Sequence, residues 1–276
     1  MTYDVLGPSA LDYLQCRYGT SKLLFRGPRR NLEAPHLAFL GSTETYGKFI
    51  EKPFPALVEQ RTGRTCVNFG QVNAGVDAFA NDSFLMGATA RADVTVIQIV
   101  GAQNMTNRFY AVHPRRNDRF VSTSALLRTI YREVDFADFH YTRHMLQRLI
   151  EVSPERFLTV RSELQQAWLA RMRLLLRQVR GKSLLLWFAD QPPQPEGSTA
   201  LADLGADPLF VTREMIEEVS AWATGTVECV ISPEARAEGT EGMCFGEMEA
   251  QAAAHMLGPK AHAEAAEALA AALADL

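Results

Sequence analysis

Cysteine is scarce in this chain. Its four copies, Cys16, Cys66, Cys229 and Cys244, are far apart and form no CxxC pair, which argues against both a disulfide framework and a structural zinc site. Excess positive charge is also missing. Lys and Arg number 28 against 32 Asp and Glu, for a net charge of −4, so the electrostatic footprint of a nucleic-acid binder is absent. No apolar run approaches bilayer length. The opening Met1-Thr2-Tyr3-Asp4 lacks the basic region and apolar segment of a signal peptide. A cytoplasmic protein without a membrane or nucleic-acid partner is the expectation. The patterns GxxxxGKS/T and HExxH do not occur, so phosphate-loop and zinc-protease chemistry lack their motifs. His140 and His144 have the four-residue spacing of a helical metal pair, but no third ligand accompanies them. Neither a metal nor a cofactor is expected.

What is present is a globular composition, 47% hydrophobic and 22% charged, sufficient for a sizeable core. Its organising stretch is His36-Leu37-Ala38-Phe39-Leu40-Gly41-Ser42-Thr43-Glu44-Thr45-Tyr46-Gly47. This reads as a short apolar strand, a turn with glycine at both ends, and a helix starting near Lys48 and running to Gln60. The carboxyl end of a first strand is a common place for chemistry in α/β proteins, where N–H groups at a following helix start can face an anion. The competing reading is an ordinary turn whose Ser and Thr cap a helix.

Further strands are expected at 65–70, 94–101, 183–189 and 226–231, with 94–101 a nearly unbroken β-rich run suited to the middle of a parallel sheet. Helices are expected at 84–91, 122–132, 137–150, 154–180, 212–222 and across 247–275. The segment from Ala102 to Phe120 reads as polar and irregular. Strands alternating with helices indicate an α/β fold, three layers around a mainly parallel five-stranded sheet of flavodoxin-like type. Residues 1–35 read as an N-terminal arm folded on one domain, 36–276.

Three strand ends are unusually polar: Gly41–Gly47, Gly70–Gly75 and Gly101–Asn104. Here the chain resembles the SGNH/GDSL hydrolases. Phe39–Gly47 looks like their first block, with Gly41 matching its glycine, Ser42 its aspartate, Thr43 its nucleophilic serine and Gly47 its closing glycine. Asn68-Phe69-Gly70 looks like the second block, whose glycine supplies an oxyanion N–H, and Gly101-Ala102-Gln103-Asn104 like the third, where a side-chain amide completes the hole. The final helix, from Gly258-Pro259-Lys260-Ala261-His262, sits where the family carries its histidine block. The resemblance runs from about residue 36 to the end. A closer resemblance, covering the arm, the Thr-Glu-Thr-Tyr-Gly turn, Gly-Ala-Gln-Asn and His-Pro-Arg-Arg-Asn-Asp-Arg, is to a bacterial family defined only as a domain of unknown function.

The resemblance implies an SGNH-like hydrolase or transferase acting on an ester group of a polar, anionic or sugar-containing small molecule. The sequence departs from the family's pattern in three ways. Thr43 replaces serine, and its methyl group crowds attack. Gln103 stands at the third-block position with Asn104 one place later. Ala252 and Pro259 occupy the places three residues before His255 and His262 where the family has an aspartate to orient its base. Thr43 is thus a nucleophile or a positioning hydroxyl, Gly70 with Gln103 or Asn104 the oxyanion hole, and His262, or else His255, the base. Ser42, Glu44 and Asn73 complete the expected site, with Glu44 a possible substitute for the missing carboxylate. His113, Arg115, Arg116 and Arg119 lie just past the third strand. Arginine forks suit carboxylate, sulfate or phosphate groups, so they read either as anion anchors or as a loop paired with Asp118, Asp135 and Asp138. The rival to an enzyme is a catalytically silent module binding an anionic glycan or metabolite in the same cleft.

Overall fold

A computed structural model describes residues 11–197, 204–205 and 207–276; the first ten residues of the expected arm lie outside these. The strands β1 (Leu37–Leu40), β2 (Cys66–Asn68), β3 (Val94–Gln98), β6 (Lys182–Ala189) and β7 (Gly225–Val230) form one sheet in the order β2-β1-β3-β6-β7. Every neighbouring pair is parallel. The α/β fold with a five-stranded parallel sheet is therefore observed.

Side chains that alternate along each strand build two cores, because successive residues face opposite sides of a sheet. On one face Ala38, Leu40, Ile97, Leu185 and Trp187 meet α7 (Pro154–Gln178) and its neighbours. On the other, Leu37, Phe39, Val96, Leu186 and Phe188 meet α2 (Phe54–Thr62) and α11 (Pro259–Ala274). Ala261, Ala265 and Ala266 of α11 are fully buried, which keeps that helix close to the sheet.

The chain between β1 and α2 differs from the expected turn and long helix. A single turn, α1 (Thr43–Tyr46), follows β1 directly, and α2 begins only at Phe54. Gly47 and Phe49 both take positive φ, 73° and 67°, which stops the helix from running on. Two further short helices, α3 (Asp77–Ala80) and α4 (Ser83–Thr89), precede β3.

The polar segment after β3 is ordered rather than irregular. It holds an antiparallel hairpin of β4 (Tyr110–His113) and β5 (Arg116–Thr123), followed by α5 (Ala125–Ile130) and α6 (Thr142–Val152). After β6 come α8 (Arg213–Ser220), α9 (Pro233–Glu238) and the one-turn α10 (Ala250–Ala253), so the expected helical region 247–275 is broken before α11. Residues 11–35 lie against the β1–α2 connection. There Arg26 is 7% exposed and donates to the carbonyl oxygens of Tyr46, Gly47, Ile50 and Glu51, all within 3.1 Å.

Candidate active site

A cavity of about 630 Å³ opens at the carboxyl ends of the strands, where parallel sheets bind ligands. Ser42, Thr43 and Glu44 after β1, Asn73 after β2, Gln98 at the end of β3 with Gln103 and Asn104 beyond it, Asp190 after β6 and Ile231 after β7 all line it. Its outer wall includes Arg143, Asp207, Arg236 and His255. All three polar strand ends picked out in the sequence contribute a residue.

The floor is organised by Gln98, which is 4% exposed. Its Oε1 accepts from the Ser42 N–H at 3.0 Å, the Thr45 N–H at 3.3 Å and the Thr45 hydroxyl at 2.6 Å. Its Nε2 donates to Glu44 Oε2 at 2.8 Å. The Ser42 and Thr45 N–H groups are thereby committed to Gln98, so these two do not face an anion as expected of the helix start. Asn68 braces the same turn, donating to the Thr45 carbonyl at 2.6 Å. Burial pushes the Glu44 carboxyl above the usual carboxylate range, the Gln98 hydrogen bond pulls it back, and the negative charge of Asp207 adds to the rise.

Thr43 is 5% exposed. Its Oγ1 accepts from the Asn73 N–H at 3.0 Å and donates to Asn73 Oδ1 at 3.2 Å. Asn73 holds a left-handed conformation, φ 56°, which an asparagine tolerates better than most residues and which aims its N–H at that hydroxyl. Gly70 does not play the expected part: its N–H is spent on Asn68 Oδ1 at 2.8 Å. Gly70 also comes too close to the Tyr46 backbone to carry a side chain, since a Cβ would sit 2.3 Å from that nitrogen. Asn104 acts first as a brace. Its Nδ2 donates to the Asn73 carbonyl at 3.1 Å and its Oδ1 accepts from the Thr142 hydroxyl at 2.7 Å, leaving one amide N–H for a ligand. Gln103 is 8% exposed; its Nε2 lies 3.5 Å from Asp207 Oδ1, and its buried Oε1 has no partner.

The two histidines separate cleanly. His262 is 1% exposed, stacked on Phe54 and edge-on to Phe188, and its Nδ1 accepts the Phe54 N–H at 3.1 Å. Burial, with a smaller push from the Arg26 charge, lowers its pKa to about 3. It does not line the cavity, so the preference for His262 as base is overturned; its helix face packs so tightly on the sheet that the ring is enclosed. His255, exposed in the loop before α11, lines the cavity with Thr43.

The expected arginines are elsewhere too. Arg115 and Arg116 are exposed at the hairpin tip, where His113 Nδ1 accepts both of their N–H groups, each at 3.2 Å. Arg119 lies over the Tyr141 ring at 4.1 Å. Among the described residues none of these three forms an ion pair with an acidic side chain, and none lines the cavity. The arginines at the cleft are Arg143, paired with Asp207 at 3.2 Å, and Arg236, which donates to the Asp190 carbonyl. Neither stood out in the sequence, since each is one of many helical arginines. Gln98 left a trace: it is a polar residue next to the carboxyl end of an apolar strand.

The sequence matches the family of a domain of unknown function, DUF6473, over residues 1–276. The chain belongs to that family. No curated protein matches the sequence. Among solved structures the chain is similar to the crystal structure of the lipase Lip_vut3 from a goat rumen metagenome, at 14% identity and a TM-score of 0.42, covering 87% of this chain and 97% of the lipase.

Proposed function

We propose that this member of DUF6473 cleaves or transfers an ester group of a polar small molecule by SGNH-like chemistry, with Thr43 as nucleophile and His255 as base. The observation that carries this reading is that Thr43 and His255 line one cavity at the strand ends, with the Asn73 N–H at the Thr43 hydroxyl. In the first step His255 takes the Thr43 proton while Oγ1 bonds to the ester carbonyl carbon. The carbon–oxygen bond to the alcohol then breaks, and the proton passes to the leaving oxygen. Water, or a second alcohol in a transfer, repeats the sequence and releases the acyl group. The Asn73 N–H holds the Thr43 oxygen, and the remaining Asn104 N–H is a donor for the tetrahedral oxyanion, a role worth about 3–4 kcal/mol where it has been measured. Arg236 adds a positive charge at the rim.

A second reading has its own support. Both hydrogen bonds of the Thr43 hydroxyl go to Asn73 and neither goes to a histidine or a carboxylate. A module that binds the same polar molecule without turning it over needs no more than this. An acetyl- and butyryl-ester panel, including acetylated sugars, separates the two. Thr43→Ala and His255→Ala each lower kcat/KM by at least about 100-fold if the residues act as assigned. Activity surviving both substitutions overturns these roles, and inactivity of the wild type across the panel favours the binding module.

A further inference from the structure

A second cavity, of about 610 Å³, adjoins the first. Asn73, Gln103, Asn104, Arg143 and Asp207 line both. At their shared edge lies an open ion pair. Arg143 reaches from α6 to Asp207 Oδ2 at 3.2 Å and to the Gly205 carbonyl at 3.1 Å, with side chains 52% and 62% exposed. An ion pair so open to water contributes at most about 1 kcal/mol, so a ligand that spans both cavities can displace it at little cost.

Asn73 is the wall that both sides touch. Its backbone N–H and Oδ1 hold Thr43, and its Nδ2 donates to Asp118 Oδ2 at 3.3 Å. A group seated against Asp118 is therefore one side chain away from the Thr43 hydroxyl. The second cavity adds the Tyr141 ring, Gln147 and His144 to Asp118. The Asp118 segment is pinned in place: Arg119 bridges to Tyr141, and the Thr142 hydroxyl reaches the Asp118 carbonyl at 3.4 Å.

From this arrangement we infer that the second cavity is the subsite for the alcohol part of the substrate, and that this part is a neutral polyhydroxylated ring, a pyranoside. Carboxylates and amides pair with hydroxyls that both donate and accept, while an aromatic ring covers the apolar C–H face of a sugar. Charge points the same way. Asp118 and Asp207 are matched by Arg143 and by Arg119, which lies over the Tyr141 ring, so the subsite carries no net positive charge to draw an anion and suits a neutral group. The inference deepens the proposed ester chemistry by naming its alcohol, but binding in the subsite does not depend on turnover.

The test is calorimetric titration with methyl glucoside, methyl galactoside and methyl mannoside, beside glucuronate and glucose 6-phosphate. At least one neutral pyranoside binds the wild type at millimolar concentration and more tightly than either anion. Tyr141→Ala and Asp118→Asn each weaken that binding at least about fivefold, the loss of roughly one hydrogen bond or ring contact. Tyr141→Phe, which keeps the ring, restores it. Absence of neutral-pyranoside binding, tighter binding of an anion, or variants that bind unchanged would each overturn the subsite. Sugar binding together with a silent ester panel sinks only the ester chemistry; ester turnover without sugar binding sinks only the subsite.

Discussion

At the scale of single residues, Glu44 is the group whose chemistry the fold alters most directly at the site. It lines the cavity floor with one oxygen tied to Gln98, and burial raises its pKa above that of an unfolded chain. The folded state thus holds a proton on Glu44 at pH values where the unfolded chain has released it. Any stability linked to that proton is fully present below the unfolded pKa and is lost as pH rises through the folded value. Glu44→Gln is neutral at every pH and keeps an oxygen for the Gln98 amide. The expected result is a higher urea midpoint than the wild type near neutral pH, with the gain vanishing near about pH 4. A variant less stable than the wild type at neutral pH would mean that the ionised carboxylate is favoured by contacts other than the Gln98 bond.

At the scale of elements, the one-turn α1 has too few hydrogen bonds of its own to hold its shape. Gln98 fixes its start, Asn68 its middle, and Arg26 its end and the loop beyond. Arg26 also faces the Tyr13 ring, at 5.2 Å, so a buried guanidinium ties the arm to the site, beside the Tyr13 hydroxyl that accepts the Phe49 N–H at 3.0 Å. Arg26→Met leaves four carbonyl oxygens without that donor and should lower stability by about 3 kcal/mol or more, read as a fall in urea midpoint. Arg26→Lys, which reaches fewer of the four, should fall between. An Arg26→Met protein as stable as the wild type would show that water replaces the guanidinium freely. Such clamps explain what the sequence conveyed and what it did not. The sheet strands were legible because their apolar runs report burial on both faces. The β4–β5 hairpin was not, since Arg116-Asn117-Asp118-Arg119 carries no apolar alternation and is shaped instead by Asn117, whose side chain accepts the Gly75 N–H and donates to the His113 carbonyl. The cleft was legible from the three polar strand ends. Its partners were not, because which N–H meets Thr43 depends on the positive φ of Asn73 and not on spacing.

At the scale of the whole molecule, His262 links the sheet, α2 and α11, and it does so only as a neutral ring. It accepts the Phe54 N–H and sits between two phenylalanines. Its pKa falls to about 3 in the fold, first through burial and then through the nearby Arg26 charge, whereas an unfolded histidine protonates near pH 6.5. Between these values the unfolded chain binds a proton that the folded chain refuses. The contribution is complete above about pH 6.5 and is lost as pH falls towards 3, at up to roughly 1.4 kcal/mol per pH unit. His262→Gln keeps a carbonyl oxygen for the Phe54 N–H but cannot titrate. It is expected to be less stable than the wild type near neutrality, because an amide packs poorly between aromatic rings, yet to lose less stability on acidification. Urea unfolding at about pH 7.5 and about pH 4.5 measures both effects, and taking the difference between the two proteins cancels the slopes that their shared carboxylates contribute. Equal acid sensitivity in the two proteins would mean that His262 protonates in place, through an opening of the α2–α11 contact that the enclosed ring does not suggest. A flatter acid profile in the variant, alongside unchanged binding of the pyranoside in the second cavity, would assign His262 to the core and leave His255 as the histidine of the cleft.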